Sequence, residues 1–299
     1  MKWQGRRKSS NIDDRRGQSS SGRGLGGFSP TLLIPLVRLL FSKVGLFIVG
    51  AFLVISFLLG KNPLSLITNL LSGGSVATES SAPYNPTEKD EELAEFSATI
   101  LANTEDVWNK LLKNYREPTL VLFTGSVASA CGSASSATGP FYCPGDEKLY
   151  IDLSFFDEME GRLNAPGDFA QAYVIAHEVG HHIQKLNGTT DKMNRLRGQV
   201  SQTEYNRYSV MLELQADFLA GVWAHHSQAM TRMMETGDLE EAMNAANAIG
   251  DDRLQKQSSG RVVPDSFTHG TSAQRMRWFK KGFDTGDLSQ GDTFSATSL

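Results

Sequence analysis

The chain has 299 residues, room for one sizeable domain or two small ones, and 40% of them are hydrophobic, enough for a packed core. A formal net charge of -4 gives no support to nucleic-acid binding, so no nucleic-acid partner is expected. Only two cysteines occur, Cys131 and Cys143, and no internal repeat is evident.

Residues 1–29 are rich in Ser, Gly, Arg and Lys, with Trp3 standing out as the local exception. Such a segment buries too little apolar surface to offset its ordering entropy and reads as disordered. An uninterrupted uncharged run then fills residues 44–60 between Lys43 and Lys61. It lies near the short end of the ~17–25 residues a membrane-spanning helix needs. Residues 32–41 prolong it as an interfacial piece, with Arg38 and Lys43 snorkelling towards the headgroups. The run lacks the polar face of an ordinary core helix. It also exceeds the ~7–15 residues of a cleaved signal segment, which favours a retained single-pass anchor.

Lys2, Arg6, Arg7, Lys8, Arg15, Arg16, Arg23, Arg38 and Lys43 precede the anchor, opposed only by Asp13 and Asp14. The positive-inside rule then keeps residues 1–43 in the cytoplasm as a basic, largely disordered tail and sends the rest across the membrane. Residues 61–87, with Ser-Gly-Gly-Ser, Pro63, Pro83 and Pro86, form a linker. The folded domain is expected over residues 88–290, followed by a flexible tail at 291–299.

Leu93, Phe96, Ile100, Val107, Trp108, Leu111 and Tyr115 recur at helical spacing and predict a helix over 88–115, closed by Pro118. Acids at its start and bases at its end suit the helix dipole. Residues 119–124 and 148–153 have strand character. Cys131 and Cys143 bracket the Gly/Ser/Ala-rich loop between them, and an exported location favours a disulfide over two buried thiols. A loop of that size contributes ~3 kcal/mol in the chain-entropy model.

Residues 168–186 predict the helix on which the chain turns, with Asp168 as its N-cap and Asn187-Gly188 as its stop. It carries His177-Glu178-Val179-Gly180-His181, an H-E-x-x-H pattern. Positions four apart share one helix face, so His177 and His181 can hold one zinc while Glu178 acts as base towards a water. Gly180 costs about 1 kcal/mol relative to Ala, which leaves open whether it is tolerated or admits a close neighbour. His182 points away from the metal face.

A catalytic zinc site keeps three protein ligands and an open position. On a second helix, predicted over 204–224, Glu213 and Asp217 share one face among apolar neighbours. Such carboxylates need partners. Zinc is one for Glu213, and the second ring N–H of a ligating histidine is one for Asp217. His225 and His226, rival ligands by type, read as mainly structural or as lining the cleft, and a closed structural zinc site would need one of them, or His269, as a fourth ligand. Residues 239–255 predict a further helix, in which Asp251 and Asp252 read as solvated or ion-paired more readily than metal-bound. His269 precedes another helix start, placed either to donate to a developing oxyanion or to serve only in capping.

The segments H-E-V-G-H-H-I-Q, E-L-Q-A-D-F-L-A-G-V-W-A, A-N-A-I-G-D-D-R-L-Q, T-H-G-T-S-A-Q-R-M-R-W-F and A-C-G-S-A-S-S-A-T-G-P-F-Y-C-P resemble blocks of the YpfJ-type bacterial neutral zinc metallopeptidases. The resemblance spans the exported portion and the basic anchor segment. It implies an α+β, mainly helical, zincin-like domain with a small β-sheet, which the charge-based topology above sets on the outer side of a bacterial inner membrane. It further implies Zn2+ held by His177, His181 and Glu213, with Glu178 as base and a peptide or protein as substrate. A membrane-tethered scaffold with structural zinc, or a hydrolase of non-peptide amides, is the alternative.

Overall fold

The computed structural model describes residues 1–18 and 84–299. Strands β1 (Ile12–Asp14), β2 (Thr119–Phe123), β6 (Lys148–Asp152) and β5 (Phe141–Cys143) make one sheet, ordered β1-β2-β6-β5. Strands β3 (Ser126–Ser129) and β4 (Gly132–Ser135) form a separate hairpin. Parallel β2 and β6 pair Leu120 with Leu149 and Leu122 with Ile151. Alternation along the strands turns these four side chains into the main core and Val121 and Tyr150 to the opposite face, against Cys143.

Eight helices accompany the strands among the described residues: α1 (Glu88–Leu111), α2 (Ser154–Gly161), α3 (Asp168–Leu186), α4 (Thr189–Leu196), α5 (Gln202–Thr231), α6 (Asp238–Ala248), α7 (Asp251–Ser259) and α8 (Ser272–Thr285). The α+β, mainly helical expectation therefore holds. Helix α1 begins with a capping box between Thr87 and Asp90. It stops at Leu111 rather than 115, because Leu112 is extended and Asn114 takes a positive φ of 59°. Helices α5 and α8 cross backbone to backbone. A Cβ at Gly221 would meet the Phe279 carbonyl oxygen at 2.1 Å, and one at Gly282 the Phe218 carbonyl oxygen at 2.1 Å.

Four further sequence-based expectations are corrected. Residues 1–18, expected to be disordered, are folded into the domain: β1 runs parallel to β2, with Ile12 opposite Leu120 and Asp14 opposite Leu122. Trp3 is buried and meets the Phe96 ring edge-on at 5.4 Å. Met1 sets its α-ammonium 2.9 Å from Asp168. Buried Glu105 on α1 accepts from Ser9, Asn11 and Arg7. Stabilisation that the segment's sparse apolar residues do not supply comes here from ion pairs and a strand ladder with distant partners.

The expected N-cap Asp168 is instead the first residue of α3. Gly167 precedes it at φ 115°, and the Phe169 N–H donates to Glu241 of α6 at 3.0 Å. The helix expected over 239–255 is broken at Gly250, where a Cβ would stand 2.4 Å from the Ser272 nitrogen. The tail at 291–299, expected to be flexible, packs: Thr293 is buried and donates to the Met211 carbonyl at 2.6 Å. The expected anchor at 44–60 and the linker up to 83 lie outside the described residues. Among the described residues no helix is long and apolar enough to cross a membrane.

Candidate metal centre

Helices α3 and α5 lie side by side, and the sequence permits the approach. A Cβ at Gly180 would stand 3.0 Å from the carbonyl oxygen and 3.2 Å from the Cα of Ala216. This glycine therefore sits where α5 passes, three residues from Glu213. His177, His181 and Glu213 offer one ligand atom each, all within 4.8 Å of one another. His177 Nε2 is 3.2 Å from Glu213 Oε2 and His181 Nε2 is 3.5 Å from Glu213 Oε1.

The other nitrogen of each ring is already engaged. His177 Nδ1 donates to Asp217 Oδ1 at 2.8 Å. His181 Nδ1 donates to Gln184 Oε1 at 2.9 Å, and Gln184 is itself fixed by donating from Nε2 to the Leu212 carbonyl at 2.7 Å. Both rings are thereby set to present Nε2 to Glu213, the arrangement a metal-ligating histidine needs. Two imidazole nitrogens and one carboxylate oxygen suit zinc.

Asp217 is fully buried, yet its carboxylate is saturated. Tyr173 donates its hydroxyl at 2.6 Å, and Arg275 donates from Nε at 2.8 Å and from Nη2 at 2.9 Å. Burial opposes charge on Asp217, but Arg275 and His177 outweigh it and hold the carboxyl at about 2. Burial likewise pushes His177 down, and Asp217 and Glu213 overcome this to raise it to about 9. Glu213, opposed by burial, is held well below the usual carboxylate range by His181 and His177.

Sequence reasoning left Arg275 and Tyr173 without a role. Arg275 was within reach of it, because Arg275, Trp278, Phe279 and Gly282 fall on one buried face of α8. An arginine on an apolar stripe signals a buried anion.

The centre opens into a cleft of about 500 Å³ that also exposes Glu178, His269 and Arg275 to its interior. One wall is the segment from Thr138 to Tyr142, within the loop closed by the Cys131–Cys143 disulfide, with Pro144 just beyond it. This wall is tied to the metal helix. His182 Nε2 donates to the Arg116 carbonyl at 2.6 Å, so Nδ1 is the acceptor for the Tyr142 hydroxyl at 3.0 Å. Burial lowers the His182 pKa, consistent with a neutral ring. His269 reaches Asp251 through Nδ1 at 3.3 Å. Burial lowers its pKa, but Asp251 and Glu213 raise it more. Asp251 also accepts the N–H groups of Thr268, His269 and Gly270, and Asp252 accepts that of Ser272. Both acids are thus used in holding this loop.

His225 and His226 lie elsewhere. They bond the carbonyls of Phe283 and Gly286 at 2.7 and 2.8 Å and do not line the cleft. A second acidic group, Asp168, Asp238 and Glu241, has metal-like spacing, but the Met1 ammonium lies 2.9 Å from Asp168 and 3.5 Å from Asp238.

The family model described as "Putative neutral zinc metallopeptidase" matches residues 1–294. The uncharacterized protein YpfJ of Escherichia coli strain K12 is 52% identical over 98% of this chain and 99% of its own length. An uncharacterized protein of Mycobacterium bovis is 42% identical over 66% of this chain and 69% of its own. No solved structure gives a significant match. With nearly the whole length matched, from the folded N-terminal segment through the histidine helix to the C-terminal segment, the chain belongs to the putative neutral zinc metallopeptidase family.

Proposed function

We propose that the chain is a zincin-type peptidase that hydrolyses peptide bonds of a peptide or protein substrate, with Glu178 as general base. One observation carries this reading: two Nε2 atoms and the Glu213 carboxylate converge on the wall of a cleft that also contains Glu178. Zinc held by His177, His181 and Glu213 would lower the pKa of water and polarise the scissile carbonyl. Glu178 takes the proton of the attacking water and passes it to the leaving amine. His269, its protonated form favoured by Asp251, donates to the carbonyl oxygen as negative charge develops there. Asp217, Arg275 and Tyr173 hold His177 in the required tautomer.

The remaining cleft surface is mainly apolar, with Phe141, Phe155, Val174, Leu212, Ile249 and Leu254. This supports an uncharged, apolar side chain beside the scissile bond. The disulfide supports an oxidising compartment outside the cytoplasm. The test is a peptide library offered to the zinc-loaded chain, with and without chelator, and to its Glu178→Gln variant. Chelator-sensitive cleavage, lost in the variant while zinc is retained, supports the assignment. Absence of any cleavage, or full activity in the variant, overturns it.

A further inference from the structure

Residues up to Gln18 and from Tyr84 onward are described, and the two segments are in contact. Arg16 donates to the Asp90 carbonyl at 2.9 Å and to Glu91 at 3.1 Å, in the first turn of α1. That turn begins at the Thr87 cap, a few residues after Tyr84. The strand β1 just before Gln18 is locked in parallel register with β2. Residues 19–83 are therefore an insertion within one folded unit that comprises Met1–Gln18 and Asn85–Leu299.

This changes what the uncharged run at 44–60 can mean. One passage through a bilayer would put β1 and β2 on opposite sides of a hydrocarbon layer about 30 Å thick. Paired strands stand only about 5 Å apart. The basic residues that weighed for a cytoplasmic tail also have partners inside the domain. Arg7 pairs with Glu105 and Asp106, Lys8 with Glu95, and Arg16 with Asp14 and Glu91. These cations are engaged by the folded domain and lie wherever it lies, so they do not by themselves mark a separate cytoplasmic tail.

We propose that Met1–Gln18 and Tyr84–Leu299 lie on the same face of the membrane that the 44–60 stretch engages. The single-pass arrangement with a cytoplasmic amino terminus is thereby replaced, because β1 and β2 belong to one folded unit. This holds whether or not the domain is a peptidase. The match of the family model from residue 1 onward is consistent with an N-terminal segment that belongs to the domain.

The test uses the full-length chain in intact cells. Single cysteines are introduced by Ser10→Cys before the insertion and Gln257→Cys after it, both at exposed positions. The natural cysteines are joined to each other, so neither competes for the label. Gln4→Cys, also exposed, replaces Ser10→Cys if that variant is degraded. A membrane-impermeant maleimide is applied before and after permeabilisation, with fractionation in parallel. Both cysteines are expected to label under the same condition, in a chain that sediments with membranes. Labelling of one in intact cells and of the other only after permeabilisation overturns the proposal. So does recovery of the full chain in the soluble fraction.

Discussion

Among the described residues two clusters have the spacing to hold a cation, and they differ in how the protein bonds their ligand atoms. In the Asp168, Asp238 and Glu241 group the charge is answered from within: the Met1 ammonium lies among the aspartates, and Glu241 accepts the Phe169 N–H. At His177, His181 and Glu213 the internal partners approach from behind, Asp217 and Gln184 binding the Nδ1 atoms and leaving Nε2 to face Glu213. Proximity of acids is therefore a weak criterion. What separates the two is whether the protein's own donors occupy the converging atoms or orient them.

The largest expected effect concerns the cleft. Glu178→Gln should lower peptide hydrolysis by about 10²–10⁴-fold with zinc content unchanged. Next, Arg275→Met leaves the Asp217 carboxylate buried without its main cation, which should cost about 3–5 kcal/mol of folding stability, read by denaturation. A loss below about 1 kcal/mol would show that the orienting layer does not depend on this pair.

Asp217→Asn should weaken zinc binding by about 10–100-fold. The same variant tests the pH dependence. Zinc must displace the proton on His177, whose pKa is raised to about 9, so affinity should be flat above that value and fall as pH drops below it. Each lower pH unit costs up to about tenfold for that one proton. Without the aspartate the bend in this profile should move towards the ordinary histidine value of 6.5. A profile with its bend unmoved would break the link between Asp217 and the metal face.

The smallest effect belongs to the other cluster. Asp168→Asn should cost about 1 kcal/mol or less, because its side chain is 34% exposed and the pair is screened. Zinc content should stay at one ion per chain in both forms; a second equivalent lost with Asp168 would erase the distinction between the clusters.

The convergence of His177, His181 and Glu213 was legible because its parts are local. His177, Glu178 and His181 share one helix turn, and Glu213 and Asp217 share another among apolar residues that make unpaired acids costly. The disulfide was legible from a pair of cysteines with no other partner. The N-terminal strand was not. Ile12-Asp13-Asp14 has one apolar residue, and its stability comes from β2 and from Glu105, about a hundred residues away. Arg275 was missed for a related reason, since its meaning depends on an aspartate on another helix. The break at Gly250 depends on the Ser272 backbone, which no local pattern announces.

Gly180 acts as a calliper. The gap between α3 and α5 at Ala216 sets how far the histidine pair stands from Glu213, and even a methyl group there would press on backbone at 3.0 Å. Gly180→Ala would force the helices apart by a few tenths of an ångström, comparable to the difference in ligand distance between zinc, at about 2.0–2.2 Å to nitrogen and oxygen, and calcium, at about 2.3–2.6 Å to oxygen. On the proposed zinc assignment, the bare α-carbon would set the ligand spacing that the ion's radius requires.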